Sequence, residues 1–253
     1  MNSRYAPYSI ASLVLFIGAW ALIAASGKVN SLILPGPLDV VRTFVSLTHE
    51  KFAGYTIQAH LASSLLRFIF GFVLAAVIGI PLGLAMGWFR TLDYVISPLF
   101  EAVRFVAPIA WVPFAVLWFG TGIGGPVLII FAGAFPPCLI NAHRGARYVD
   151  RHLIEAALTL GASDRRIIFD VLLPASLPSI VAGLRVSAGL GWQSLIGAEL
   201  IVVSAGIGYL MVQGQSNLNT ATVMSGMIAI GIIGVIIDVA LRTLERLVAR
   251  GKT

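Results

Sequence analysis

Apolar residues run through this chain in long blocks, and short polar stretches separate them. A helix needs roughly 20 mostly apolar residues to cross a bilayer. Six blocks come near that length: Ser9–Ser26, Ser63–Met86, Tyr94–Phe119, Pro126–Ala142, Ser179–Val203 and Val223–Leu241. The first follows a short N-terminus containing Arg4, as the core of a cleavable signal peptide would. It is long for that role and other spans follow it, so it reads as a retained first span. The pattern predicts an all-α, membrane-embedded chain.

Two polar segments carry patterns of their own. In Gly27–His60, the sequence LPGPLDVV has the turn chemistry of two prolines flanking a glycine. Val40, Val41, Phe44, Val45 and Leu47 then approximate a helical stripe, which predicts a short spacer helix along the outer interface. The longest polar segment is His143–Pro178. Asp150 is placed to cap a helix over Arg151–Leu160 that ends at Gly161, with Leu153, Ile154, Ala157 and Leu160 near one face. Ser163 is placed to cap a second helix, with Asp164 complementing its dipole and Ile167, Ile168, Val171 and Leu172 along one side. Pro174 and Pro178 are expected to stop that helix and turn the chain into the fifth span. Helix breakers also fall inside the spans, at Pro81, Pro108, Pro113, Pro136 and Pro137, and glycines are dense. Both suit a bundle that packs closely.

Composition agrees with lipid as the main solvent. Of 253 residues, 58% are hydrophobic and 11% charged, and mean hydropathy is +0.93. A soluble domain of this size usually charges about a quarter of its residues. The 17 basic against 11 acidic side chains would suit nucleic acid, but in a membrane chain the location of the bases matters more. With the N-terminus inside, the inner segments hold Arg4, Arg90, Arg144, Arg147, Arg151, Arg165, Arg166, Arg242, Arg246, Arg250 and Lys252. The outer ones hold Lys28, Arg42 and Lys51, and Ser204–Thr222 has no base. This asymmetry predicts both termini in the cytoplasm. The single cysteine, Cys138, reads as a small buried hydrophobe. His49, His60, His143 and His152 fall in loops or at span ends without metal-ligand spacing, which suggests surface or capping roles. There is no catalytic constellation and no GxxxxGK[ST] phosphate loop, so the chain reads as no enzyme and as unable to bind ATP in the usual way.

Two short amphipathic helices could simply rest on anionic lipid. The spacing is more specific than that. Glu155, Ala156 and Ala157, three residues, Gly161, nine residues, then Val171, Leu173 and Pro174 resemble the EAA loop of ABC importer permeases. The resemblance extends along LILPGP, IPLGLAMG, PIAWVPFAVLWFG and GLGWQSLIGAEL to the nitrate, sulfonate, taurine and bicarbonate group of that family. It implies the type I importer permease fold, with six transmembrane helices and a cytoplasmic two-helix coupling loop in a single domain spanning residues 1–253. It assigns ATPase coupling to Glu155, Ala156, Ala157, Leu160, Gly161, Leu173 and Pro174. It also implies a bacterial inner-membrane location, two copies of a separate ATPase that binds ATP and Mg, a permease homodimer and a substrate-binding protein. The chain itself would hold no cofactor and contact lipid but no nucleic acid. The cargo implied is a small solute, of sulfonate, taurine or nitrate type.

Polar groups inside spans are candidate path residues by default. These are Glu101, Arg104, Trp111, Trp192, Gln193 and Glu199. Glu101 and Arg104 can pair one turn apart; a fully neutralised Arg104 would be structural, and otherwise it attracts an anion. Glu199 suits a gate contact or a helix-packing hydrogen bond. Arg185 is placed to snorkel or to contact the loop, and Arg67 and Asp238 read as interfacial anchors. The rival readings are an ion-coupled secondary transporter for a small organic anion and a membrane-embedded enzyme. The first predicts clustered acids in the spans, and neither explains the EAA loop.

Overall fold

The computed structural model describes residues 6–27, 29–30 and 32–250; Arg4, Lys28 and Lys252 lie outside these. Helices in chain order are α1 (Ala6–Ala25), α2 (Pro37–His49), α3 (Ile57–Trp88), α4 (Arg90–Val103), α5 (Val112–Phe119, entered by a 3-10 turn, Pro108–Trp111), α6 (Gly124–Arg147), α7 (Arg151–Thr159), α8 (Asp164–Arg166), α9 (Leu173–Glu199), α10 (Ile207–Ser216) and α11 (Thr220–Arg250). There is no strand among the described residues, only an isolated bridge between Phe52 and Tyr55.

Among the described residues, four helices are long and apolar enough to cross a membrane: Ile57–Trp88, Gly124–Arg147, Asp164–Glu199 and Thr220–Leu247. A bent pair, Arg90–Val103 with Pro108–Phe119, is apolar enough for a fifth if its two halves act as one span, and α1 carries a shorter apolar stretch, Ala11–Ala25. The third expected span is therefore not one straight helix, because its two halves meet at 86°. Pro108 stands at the first turn of the second half. It has no N–H to continue the ladder, and it disfavours helical backbone in the residue before it.

The chain divides into two compact units. One comprises Ser63–Ser204 and Ile232–Thr253. In it α3 lies close against α6 through a row of glycines. A Cβ at Gly79 would meet Cys138 at 3.0 Å, one at Gly83 would press on the Leu139 carbonyl and Ala142, and one at Gly87 would strike Ala146. α6 packs along α9 in the same way, Gly133 against Ser194 and Gly183 against Asn141. Without a hydrophobic drive between helices in lipid, such close approach supplies the packing energy. Cys138 is buried, as expected of a small hydrophobe.

The other unit comprises Met1–Ala62 and Ala205–Gly231. Its core joins Leu47, Ile57, Ile207, Leu210 and Ala229. The short helix expected after LPGP is α2; Val40 and Leu47 of its stripe are buried, while Val41 and Val45 stay exposed. The loop Ser204–Thr222 contains a helix, α10, that its few periodic positions did not announce. His60 is also not at the surface. It is fully buried, with Nε2 3.0 Å from the Phe52 carbonyl and Nδ1 accepting from the Gly206 N–H at 3.1 Å. A neutral ring that donates at Nε2 and accepts at Nδ1 satisfies both. α1 exposes Leu13, Val14, Leu15 and Phe16, as a lipid-facing helix does.

Candidate functional site

The polar segment builds its helix as the cap residues dictate. The Asp150 carboxylate accepts from the His152 N–H at 3.0 Å and closes the start of α7. At the other end the Gly161 N–H donates to the Leu158 carbonyl at 2.9 Å and the Ala162 N–H to the Ala157 carbonyl at 3.0 Å. These two bonds define a Schellman stop, which needs a left-handed residue at its centre. Gly161 supplies it at φ 75°. A Cβ there would meet nothing within 4 Å, so the demand for glycine comes from backbone conformation and not from space. Ser163 occupies the next N-cap position, but its hydroxyl makes no capping bond; its carbonyl accepts the Ile167 N–H at 3.0 Å.

α7 is half seated. Ile154 and Ala157 are partly buried, whereas Glu155, Ala156 and Leu160 are exposed, Leu160 by 87%. Leu153, Leu158 and Tyr148 beside them are exposed too. Past the turn the chain does not stop at Pro174. One helix runs from Asp164 to Glu199, through a π turn over Ile167–Leu172. Proline's ring would collide with the carbonyl four residues back in a regular α ladder. The wider π turn immediately before Leu173 and Pro174 takes up that mismatch. Ile167 and Leu172 are buried, Leu172 with Leu84, Ala142, Ala146 and Ile180, so the helix is anchored close to its start.

A second feature sits at the bend between α4 and α5. A cavity of about 350 Å³ is lined by Arg104, Pro108, Gln193, Ser194 and Gly197, among others. Another, of about 170 Å³, is lined by Phe100, Arg104, Trp111, Phe131 and Phe135. Arg104 borders both. Its Nε donates to Glu101 Oε2 at 2.6 Å, and its guanidinium carbon lies 4.6 Å from the centre of the Phe105 ring. Glu101 is half exposed and outside both linings. Of the path candidates, Arg104, Trp111 and Gln193 thus come together. Trp192 is buried edge-on to Phe68 at 5.4 Å, away from both linings.

Glu199 is also elsewhere. It is 1% exposed and accepts from the Ser64 hydroxyl at 2.8 Å and from Arg67 Nη1 at 3.0 Å. Arg67 is consequently a buried partner linking α3 to α9, not an interfacial anchor. Sequence reading gave each residue a separate role because nothing in a single chain pairs residues 132 positions apart. Arg185 likewise neither snorkels nor meets the coupling loop. Its Nε donates to Asp238 Oδ1 at 2.7 Å and its Nη1 approaches Glu245 at 3.5 Å, while Arg242 Nη2 donates to Asp238 Oδ2 at 2.7 Å. This network ties α9 to α11, and Asp238 belongs to it and is not a lone anchor.

Comparison with known proteins identifies this arrangement. The profile described as binding-protein-dependent transport system inner membrane component matches residues 75–253. A putative ABC transporter permease protein of Methanocaldococcus jannaschii is 39% identical over 97% of this chain and 92% of its own length. The taurine transport system permease protein of Escherichia coli K12 is 35% identical over 96% of this chain and 89% of its own. Among solved structures, a chain of the MetNI methionine ABC transporter in inward-facing form aligns with a TM-score of 0.63 and 22% identity, covering 76% of this chain and 94% of that one.

Proposed function

The chain belongs to the family of binding-protein-dependent transport system inner membrane components, and from that premise we propose how it is driven and what it carries. It is a membrane-embedded permease of an ABC importer with the type I fold, a transport subunit and not an enzyme.

The drive enters through α7. The observation that carries this is one exposed helix, with Glu155 and Ala156 uncovered, tied by the Gly161 turn to a helix running from Asp164 to Glu199. Small Ala156 and Ala157 let a groove on a partner come close, and Glu155 offers a charge to a base there. A displacement of α7 reaches the fifth span because Leu173 and Pro174 lie within that continuous helix. The partner is an ATPase, present in two copies, that binds ATP and Mg. The permease pairs with a second copy of itself and receives solute from a binding protein. The arginine-rich side faces the cytoplasm, and so do both termini. We take residues 1–253 as one permease domain because the Methanocaldococcus jannaschii and Escherichia coli permeases align over 97% and 96% of the chain.

The cargo is a small anion of the sulfonate class. Support comes from the cavity beside Arg104 and Gln193, which matches the scale of a small-solute site, and from the taurine permease of Escherichia coli as a relative. The test is uptake into proteoliposomes holding this chain, its ATPase and its binding protein. Accumulation of a labelled sulfonate only with hydrolysable ATP is expected. Accumulation driven by an ion gradient without ATP would instead make the chain a secondary transporter.

A further inference from the structure

Where the coupling loop begins, away from the bend cavity, a third concavity has a chemistry that neither reading uses. It measures about 330 Å³ and is lined by Arg90, Asp93, Arg147 and Arg151 together with Trp88 and Tyr148. Three guanidinium groups therefore border one space that contains a single carboxylate. That carboxylate is already engaged. Asp93 Oδ2 lies 2.6 Å from Arg147 Nη1, and Asp93 Oδ1 accepts from Ser97 Oγ at 2.6 Å and lies 3.3 Å from His143 Nε2. Arg90 and Arg151 form no ion pair among the described residues. The lining keeps a surplus of positive charge around a polar space.

The cavity's depth in the membrane also follows from the residues. It is bordered by the end of the span Ile57–Trp88, the start of α4, the end of the span Gly124–Arg147 and the first turns of α7. Spans end at the headgroup layer, where Trp and Tyr concentrate. Arginine's planar fork binds phosphate oxygens in pairs.

We propose that this cavity is a binding site for the phosphate of an anionic membrane lipid, held by Arg90 and Arg151 and bracing the start of α7 against the ends of α3 and α6. Naming the leaflet as cytoplasmic rests on the orientation proposed above; the site does not.

The test uses the full-length chain in mixed micelles of phosphatidylglycerol and phosphatidylcholine, with retained lipid counted by native mass spectrometry. The wild type is expected to retain phosphatidylglycerol selectively. A Lys or Arg near an anionic surface is worth about a fivefold preference, so Arg90→Gln with Arg151→Gln should lose roughly 30-fold. Arg90→Lys with Arg151→Lys should recover part of the loss. Arg165→Gln with Arg166→Gln, which removes equal charge from outside the cavity, should keep the preference. Equal loss in that control reduces the effect to diffuse surface charge and overturns the site, as does unchanged retention in the first double variant. Two further arms identify other occupants. Inorganic phosphate binding in phosphatidylcholine alone, with no preference for phosphatidylglycerol, makes the site one for soluble phosphate. Loss of retained lipid on adding the ATPase makes it a pocket for that protein's acidic side chains. Either result overturns the lipid assignment, and all of them are read without transport, so they stand apart from the drive mechanism.

Discussion

In the proposed drive, Gly161 carries a mechanical role through its backbone alone. Its φ of 75° costs an ordinary L-residue about 1–2 kcal/mol, and a β-branched side chain more. Gly161→Val should therefore unmake the turn and reduce copurification of the ATPase about tenfold or more. Gly161→Asn, which tolerates left-handed backbone, should lose much less. If both variants copurify the ATPase as the wild type does, the turn does not present α7. Glu199 makes a different prediction. Removing one partner of a buried ion pair typically costs about 3–5 kcal/mol. Glu199→Ala should lower the melting temperature in detergent strongly, and adding Arg67→Met should recover part of it. A double variant no more stable than Glu199→Ala would show that the buried charge is not the cause. At the bend cavity, Arg104→Gln should raise the KM for uptake about tenfold, taking a charged hydrogen bond as worth about 1.5–3 kcal/mol, with assembly unchanged. Wild-type KM would remove Arg104 from anion recognition. The caps at Asp150 and Gly161 were legible in the sequence because cap chemistry is local. The Arg67–Glu199 pair and the buried His60 were not, since each depends on contacts far along the chain.

Among the elements, the spans were visible wherever apolar length alone decides. The break in the third was not, although Pro108 was in plain sight, because proline in a membrane helix can leave it straight when neighbours satisfy the freed carbonyls. α3, α6 and α9 do continue through Pro81, Pro136, Pro137 and Pro178. The same ambiguity hid the helix from Asp164 to Glu199, where a π turn carries the chain past Pro174. That continuity joins the second half of the polar segment to the fifth span as one helix. The α3 seam gives this scale its prediction. Gly83→Leu must fit a side chain where even a Cβ meets the Leu139 carbonyl and Ala142, so it should prevent stable packing of α3 on α6. Aggregation on size exclusion is the expected outcome, while Gly231→Leu, with open space around its Cβ position, should stay monodisperse. A well-behaved Gly83→Leu would mean the helices are not held by close approach.

For the molecule as a whole, the proposed drive puts the connection to a motor at the conspicuous polar segment, and the spans say less about the cargo. In the orientation proposed from the charge asymmetry, α7 and both termini lie on one side. The central claim is that the ATPase grips the exposed face of α7. Cys138 is the only cysteine and is buried, at 2% exposure, so a cysteine introduced at Ala156 would be the one reactive thiol. The decisive measurement is thiol cross-linking of Ala156→Cys permease to its ATPase in membranes, scanned with single cysteines along the ATPase's membrane-facing groove. The account predicts a specific cross-link whose formation blocks ATP-dependent uptake and whose reduction restores it. Cross-linking only to lipid-facing probes, with uptake intact after the thiol is blocked by a bulky reagent, would contradict it.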